Sequence, residues 1–262
     1  MTSYRPLVFA HRGGADALPE HTLGAYLRAL DEGADGLECD VRLTRDGHLV
    51  CVHDRRLDRT SNGRGLVSTK TLAELDALDF GSWHPSYPAD EELPDLTRLL
   101  TLDRLLEALR DSGRQVRLLI ETKHPSRYGA EVERRLVETL RRHRLADPEP
   151  DAPVRVTVMS FAALALRRIR SQAPAIPTVY LLEILPPGVG RGRLPFGARI
   201  AGPRVGLMRA RPGLVPAIKA AGHQAYVWTV NDPDDLKMVV EHQVDGVITD
   251  RPGFVLEQLA EM

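Results

Sequence analysis

The stretch "LECDVRLTRDGHLVCVHD" (37–54) governs how the strands of this chain are counted. Two alternating runs flank Thr44-Arg45-Asp46-Gly47, a tight-turn signal, so the stretch reads as an antiparallel hairpin. Folded about Arg45–Asp46, it sets Asp40 opposite Cys51 and Glu38 opposite His53, to within about one residue of register. Side chains alternate along a strand, so Glu38, Asp40 and His53 are expected near one face, with Cys39 and Cys51 pointing to opposite sides. Sulfurs placed that way cannot bridge, and both cysteines are expected to be unpaired.

Outside the hairpin, short apolar runs alternate with helical patterns. The runs are Leu7–His11, Gly36–Leu43, Arg117–Lys123, Val154–Ser160, Thr178–Glu183, Arg204–Met208, Gln224–Val230 and Asp245–Asp250. Leu23, Tyr26, Leu27 and Leu30 recur at the helical period with Gly33 as the stop, and Leu102, Leu105, Leu106 and Leu109 repeat the pattern before Gly113. Asn231-Asp232-Pro233 opens a further helix. Eight strands joined through helices imply parallel pairing by right-handed crossovers, and eight such units close into a barrel. The expected fold is therefore α/β: one (β/α)8 TIM-barrel domain over residues 1–262, with the second hairpin strand added to it. Residues 54–95 are rich in Gly, Ser, Pro and charge, with one helical piece at Leu72–Leu78. They are too long for a barrel loop and read as an inserted lid or cap over the strand ends.

Composition narrows the function. With 43% hydrophobic and 27% charged residues and a net charge of −1, the chain is an ordinary globular protein without the basic excess of a nucleic-acid or membrane-surface binder. No apolar run is long enough to span a bilayer, which argues against stable membrane insertion. Met1 to Pro6 lacks the layout of a signal peptide, so a cytoplasmic protein acting on a small molecule is expected, its oligomeric state open.

In a barrel of this kind, function collects at the C-terminal strand ends. Those ends carry His11-Arg12, Glu38 and Asp40, Glu121 and Lys123, Ser160-Phe161, Trp228 with Asn231, and Asp250, with His53 joining from the hairpin. Glu38 and Asp40 share one strand face, and Glu121 comes from the neighbouring strand. Three hard oxygen donors suit Mg²⁺ or Ca²⁺ better than Zn²⁺; the competing reading is that the glutamates simply pair with Arg12 or Lys123. His11 and His53 are candidate general acid and base, and Arg12 and Lys123 offer a planar fork and a point charge to a phosphate. Gly13 and Gly14 serve either close backbone approach to a ligand or the strand-to-helix turn. The other seven histidines, His21 among them, receive no role. Together these groups suggest metal-assisted cleavage of a phosphodiester.

The chain resembles the barrel-type glycerophosphodiester phosphodiesterases. The matching stretches are "HRGG" (11–14), "PEHTLGAY" (19–26), "GADGLECDVRLTRDG" (33–47), "VHDRRLDRTSNGRG" (52–65), "IETKHP" (120–125), "SF" (160–161), "VWTVN" (227–231) and "DGVITDRP" (245–252). The resemblance implies metal ligands at Glu38, Asp40 and Glu121, catalytic histidines at His11 and His53, phosphate contacts from Arg12 and Lys123, and an aromatic beside the substrate at Trp228. It implies hydrolysis to glycerol 3-phosphate and an alcohol, by direct water attack or through a cyclic phosphate. The family usually has asparagine where this chain has His21, so the first helix is expected to begin differently, with Thr22 as cap. Two alternatives stand beside this reading. One is a lysophospholipase D whose apolar groove is lined by Phe80, Trp83, Tyr87 and Leu93. The other is a non-catalytic barrel that binds phosphorylated metabolites.

Overall fold

Eight parallel strands close on themselves in the computed structural model, which describes residues 4–87, 94–149 and 151–262. The nine strands are β1 (Leu7–Ala10), β2 (Gly36–Leu43), β3 (Leu49–Cys51), β4 (Val116–Thr122), β5 (Val154–Ser160), β6 (Thr178–Leu182), β7 (Ile200–Pro203), β8 (Gln224–Val227) and β9 (Gly246–Thr249). Parallel pairing runs from β2 through β4 to β9, and β1 bonds both β9 and β2 to seal the ring. β3 lies outside it, antiparallel to β2. The helices are α1 (Leu23–Asp31), α2 (Leu72–Asp76), α3 (Pro94–Thr97), α4 (Leu102–Asp111), α5 (Glu131–Arg142), α6 (Ala163–Gln172), α7 (Val205–Ala210), α8 (Leu214–Ala220), α9 (Pro233–Glu241) and α10 (Pro252–Glu261). No described helix is long and apolar enough to cross a membrane.

Strand parity sorts the core into layers. On β4, Val116, Leu118 and Ile120 face outward among leucines of α4 and α5, whereas Leu119 joins Phe9, Met159, Val179, Ile200, Tyr226 and Ile248 inside the barrel. Continuing the inward set from Leu119 reaches Glu121, which is how a strand that is otherwise apolar delivers a carboxylate to the mouth.

Two expectations from the sequence are corrected. Arg204–Met208 is not the sixth barrel strand: Val205–Ala210 is helical, and the strand is Ile200–Pro203 just before it. The real strand, "IAGP", is four residues long with a glycine and a proline, which hides it from propensity, while "RVGLM" mimics alternation. The β2–β3 register also differs by one residue, with Val41 paired to Cys51. Cys39 therefore shares a face with Cys51 rather than opposing it; both thiols are buried in one core cluster, and both are free. The shift means that strand parity does not carry His53 to the site. The chain bends after β3, and that bend does. Thr22 caps α1 as expected, accepting from the Ala25 N–H at 3.3 Å.

After His53, Leu57, Val67, Leu75 and Phe80 pack with Val50 and Val52 and with Leu99 into a separate small core. Phe80 is thus committed to packing, and the half-buried Trp83 donates its Nε1–H to the Phe80 carbonyl at 2.9 Å. Leu93 lies outside the described residues.

The Phe9 ring fills the barrel axis only because β2 offers it no side chain at Gly36. A Cβ there would lie 2.7 Å from the ring and 2.5 Å from the Arg117 carbonyl oxygen. Gly36→Ala is expected to cost about 1–3 kcal/mol by overpacking, read as a lowered urea midpoint with an unchanged slope.

Candidate active site

Three buried carboxylates meet at the C-terminal end of the barrel. Glu38 and Asp40 stand on β2 and Glu121 on β4, where Asp40 and Glu121 are paired across the strands, and one oxygen from each lies within 4.8 Å of the others. Carboxylates crowded this way resist ionisation. Burial, Asp40 and Glu121 together push Glu38 well above its usual value, and burial beside Asp40 takes Glu121 up to about 8. Asp40 goes the other way. Burial opposes its charge, but Lys123, His21 and Arg12 outweigh burial and hold it well below the usual range.

The supporting cations are tightly placed. Lys123 Nζ lies 3.0 Å from Asp40 Oδ1 and 2.9 Å from Glu121 Oε1. Arg12 has a left-handed φ of 52° inside the short turn His11–Gly13, and its backbone N–H donates to Glu38 Oε2 at 3.1 Å. Gly13 makes that turn possible: its φ is 89°, and a Cβ would meet Ala25 Cβ at 3.0 Å. The glycine serves the turn and its packing on α1. Arg12 Nε lies 3.3 Å from Asp40 Oδ2 without hydrogen-bond alignment, so it is a buried donor with no hydrogen-bond partner.

Each expected histidine is anchored through the same ring nitrogen. His11 Nδ1 lies 2.6 Å from Asp250 Oδ1, and His53 Nδ1 lies 2.7 Å from Asp54 Oδ1, which leaves both Nε2 atoms uncommitted. Asp250 is itself held by the Asn231 amide at 2.7 Å. Burial, helped by Lys123 and Arg12, outweighs Asp40 and the Asp54 hydrogen bond and lowers His53 to about 4, so its ring is neutral at pH 7. His11, Arg12, Glu38, His53, Glu121, Lys123 and Trp228 all line one cleft of about 540 Å³, and the Phe161 ring meets Trp228 edge-on at 5.5 Å.

Four residues in this site were given no role from sequence. His21 is buried, with Nε2 2.9 Å from Asp40 Oδ2 and Nδ1 2.8 Å from the Tyr26 hydroxyl. Glu20 receives both terminal nitrogens of Arg59, at 2.7 and 2.8 Å, and Arg12 at 3.2 Å. Arg59 Nε also reaches Asp54 Oδ2 at 2.8 Å. A continuous chain therefore runs from Asp40 through Arg12, Glu20, Arg59 and Asp54 to His53. The signals were present: Asp54 directly follows His53, and a charged Glu20-His21 pair sits at a helix start.

The donor set fits a divalent cation. All three side chains offer hard oxygens, and the buried carboxylates lack enough positive charge to ionise together. Because Glu121 holds its proton below about pH 8, a cation must displace it. Calorimetry of Mg²⁺ or Ca²⁺ binding to chelator-stripped protein in buffers of differing ionisation enthalpy is expected to show proton release at pH 7. Affinity is expected to rise as pH is raised toward 8.

The model of the glycerophosphoryl diester phosphodiesterase family matches residues 11–254. Probable glycerophosphodiester phosphodiesterase 1 of Mycobacterium tuberculosis is 49% identical over 248 residues, 95% of this chain and 90% of that protein. A glycerophosphodiester phosphodiesterase of Caldanaerobacter subterraneus is 33% identical, over 96% of this chain and 97% of its own. An Oleispira antarctica phosphodiesterase, solved in complex with the product sn-glycerol-3-phosphate, superposes with a TM-score of 0.81 at 26% identity, covering 98% of each chain. This chain belongs to the glycerophosphoryl diester phosphodiesterase family.

Proposed function

We propose that the protein hydrolyses glycerophosphodiesters to glycerol 3-phosphate and an alcohol. Glu38, Asp40 and Glu121 hold Mg²⁺ or Ca²⁺, His11 and His53 move the protons, and Arg12, Lys123 and Trp228 bind substrate. The observation that carries this reading is the convergence, in one cleft, of two carboxylate-anchored histidines with a buried carboxylate triad and two cations. The product bound to the Oleispira phosphodiesterase supports glycerol 3-phosphate as product here. When bound, the ion supplies Lewis acidity toward a phosphoryl oxygen. Arg12, with its unpartnered Nε–H, and Lys123 take the charge that gathers on the non-bridging oxygens.

His11 removes the proton of the attacking hydroxyl or water, and His53 protonates the departing alkoxide. Exposure favours that division: the His53 side chain is 33% exposed against 17% for His11, and the alcohol must leave by the open side. His53 is neutral in the free protein, and an anionic phosphodiester beside it favours the imidazolium, so the proton arrives with the substrate. Residues 54–95 act as a cap that also supplies Asp54 and Arg59. The lysophospholipid alternative loses Phe80 from its groove, since that ring is packed away.

The first test is glycerol 3-phosphate release from glycerophosphocholine by chelator-stripped protein. Turnover restored by Mg²⁺ or Ca²⁺ is expected, and no product with either ion would overturn the reading. His53→Ala is expected to lose about a hundredfold or more on the choline ester and far less on a nitrophenyl ester, whose leaving group needs no proton. An equal loss on both would assign the acid elsewhere. Arg59→Ala is expected to lower kcat by about tenfold or more. In an Asp54→Asn background the same change should cost less, because the two side chains act on His53 through one hydrogen-bond path.

A further inference from the structure

Beside the catalytic cleft lies a second, much tighter one that opens to solvent, lined by Arg42, Arg55 and Arg127 and by Ser68 and Ser126, with Lys123 on the wall common to both. No carboxylate is among its lining residues. Arg42 uses Nε and one terminal nitrogen on the His53 carbonyl, at 2.9 and 2.6 Å, and makes no ion pair among the described residues. Burial pulls the Arg42 guanidinium below its usual value, with Arg55 adding to that effect and Asp40, Glu121 and Asp54 opposing it from outside the cleft. Arg55 and Arg127 are exposed and have no ion pair among the described residues. This is unusual in a chain whose 36 acidic residues slightly outnumber its 35 lysines and arginines. Most of the arginines around the catalytic cleft, Arg12, Arg59 and Arg204 included, are matched to carboxylates. Three guanidinium groups along one wall with no carboxylate in the lining repel one another, and an anion seated among them relieves that repulsion.

The two clefts have different positions relative to a diester. The apolar wall of the catalytic cleft, made by Met159, Leu181, Trp228 and Ile248, belongs to the β5, β6, β8 and β9 side of the barrel. The basic cleft lies on the other side, between the loop after β4 and the segment after His53. With the glycerol carbon chain set against the apolar wall, the alcohol side of the diester would point past His53 toward the arginines. Guanidinium forks recognise phosphate by paired hydrogen bonds.

We propose that the cleft of Arg42, Arg55 and Arg127 is an accessory anion subsite that takes a second phosphate carried on the alcohol of the substrate. The proposal deepens the phosphodiesterase reading and rests on it. It makes the protein selective for glycerophosphodiesters with a phosphorylated alcohol over those with a neutral one.

A matched pair of compounds tests it: glycerophosphoglycerol, and the same molecule with a terminal phosphate on its second glycerol. The wild-type protein, loaded with the ion that restores turnover of glycerophosphocholine, is expected to favour the phosphorylated compound by about tenfold in kcat/KM at low ionic strength. That preference should fall as salt is raised. In the double variant Arg55→Ala/Arg127→Ala the ratio is expected to collapse toward one, with circular dichroism confirming the fold. Arg55→Lys/Arg127→Lys, which keeps the charge without the fork, should retain an intermediate preference. Equal turnover of the pair by wild type, or an undiminished ratio in the alanine variant, would overturn the subsite. Calorimetric titration of the same two compounds decides the matter without turnover. Tighter wild-type binding of the phosphorylated compound, lost in the alanine variant, supports the subsite even if neither compound is hydrolysed, a result that would remove the proposed reaction alone. Equal binding refutes the subsite on its own.

Discussion

Mutual repulsion among Glu38, Asp40 and Glu121 organises most of what surrounds them. Carboxylates brought within 4.8 Å of one another in a water-poor barrel mouth cannot all ionise unaided. Lys123 bridges two of them, Arg12 faces Asp40 and donates its backbone N–H to Glu38, and His21 bonds Asp40 from beneath. Each of these partners then needs support of its own. Arg12 is held by Glu20, and Glu20 by Arg59. Burying one charge cluster thus goes with a graded network of charges around it, running from Asp40 out to Arg59.

The fold supplies this network through its closure. His11 follows β1 and Asp250 follows β9, the first and last strands among the described residues, so their contact exists only because β1 pairs with β9. Asn231, which follows β8, bonds both the side chain and the backbone N–H of Asp250 and so ties in a third strand end. His53 is served differently: its carboxylate is the next residue in the chain, on a segment outside the barrel. His11 depends on long-range topology for its carboxylate, His53 on a local bend. Loosening at the β1–β9 seam would therefore disturb His11 well before His53.

What the sequence made legible follows the same division. The apolar strands with charged ends, and the placement of Glu38, Asp40 and Glu121, could be read because parity and the barrel rule act over a few residues. Trp228, Lys123 and Arg12 followed from their strand ends. The β7 strand was missed because "IAGP" owes its extended form to its neighbours β6 and β8 rather than to its own residues. His53 lines the cleft, but not through strand alternation: the β2–β3 register turns its parity away from Glu38 and Asp40, and a bend after β3 brings it back. The Asp54 contact with His53 is local, but those of His21 with Asp40 and of Arg59 with Glu20 span 19 and 39 residues, which no local pattern encodes.

Arg59 marks a boundary inside the segment that follows β3. Up to Arg59 the segment is wired to the chemistry through Asp54 and Glu20. Beyond it, Val67, Leu75 and Phe80 pack the remainder onto Val50, Val52 and Leu99, and hydrogen bonds such as Phe80 N–H to the Thr97 carbonyl and Tyr128 hydroxyl to the Ser68 carbonyl fix it further. The two portions obey different design rules. The first is fixed in length and geometry by hydrogen bonds to residues of the barrel. The second is held by its own small apolar core and by hydrogen bonds to the hairpin turn and to the loop after β4, so a change in it is felt by the neighbouring loops rather than through Asp54 and Glu20.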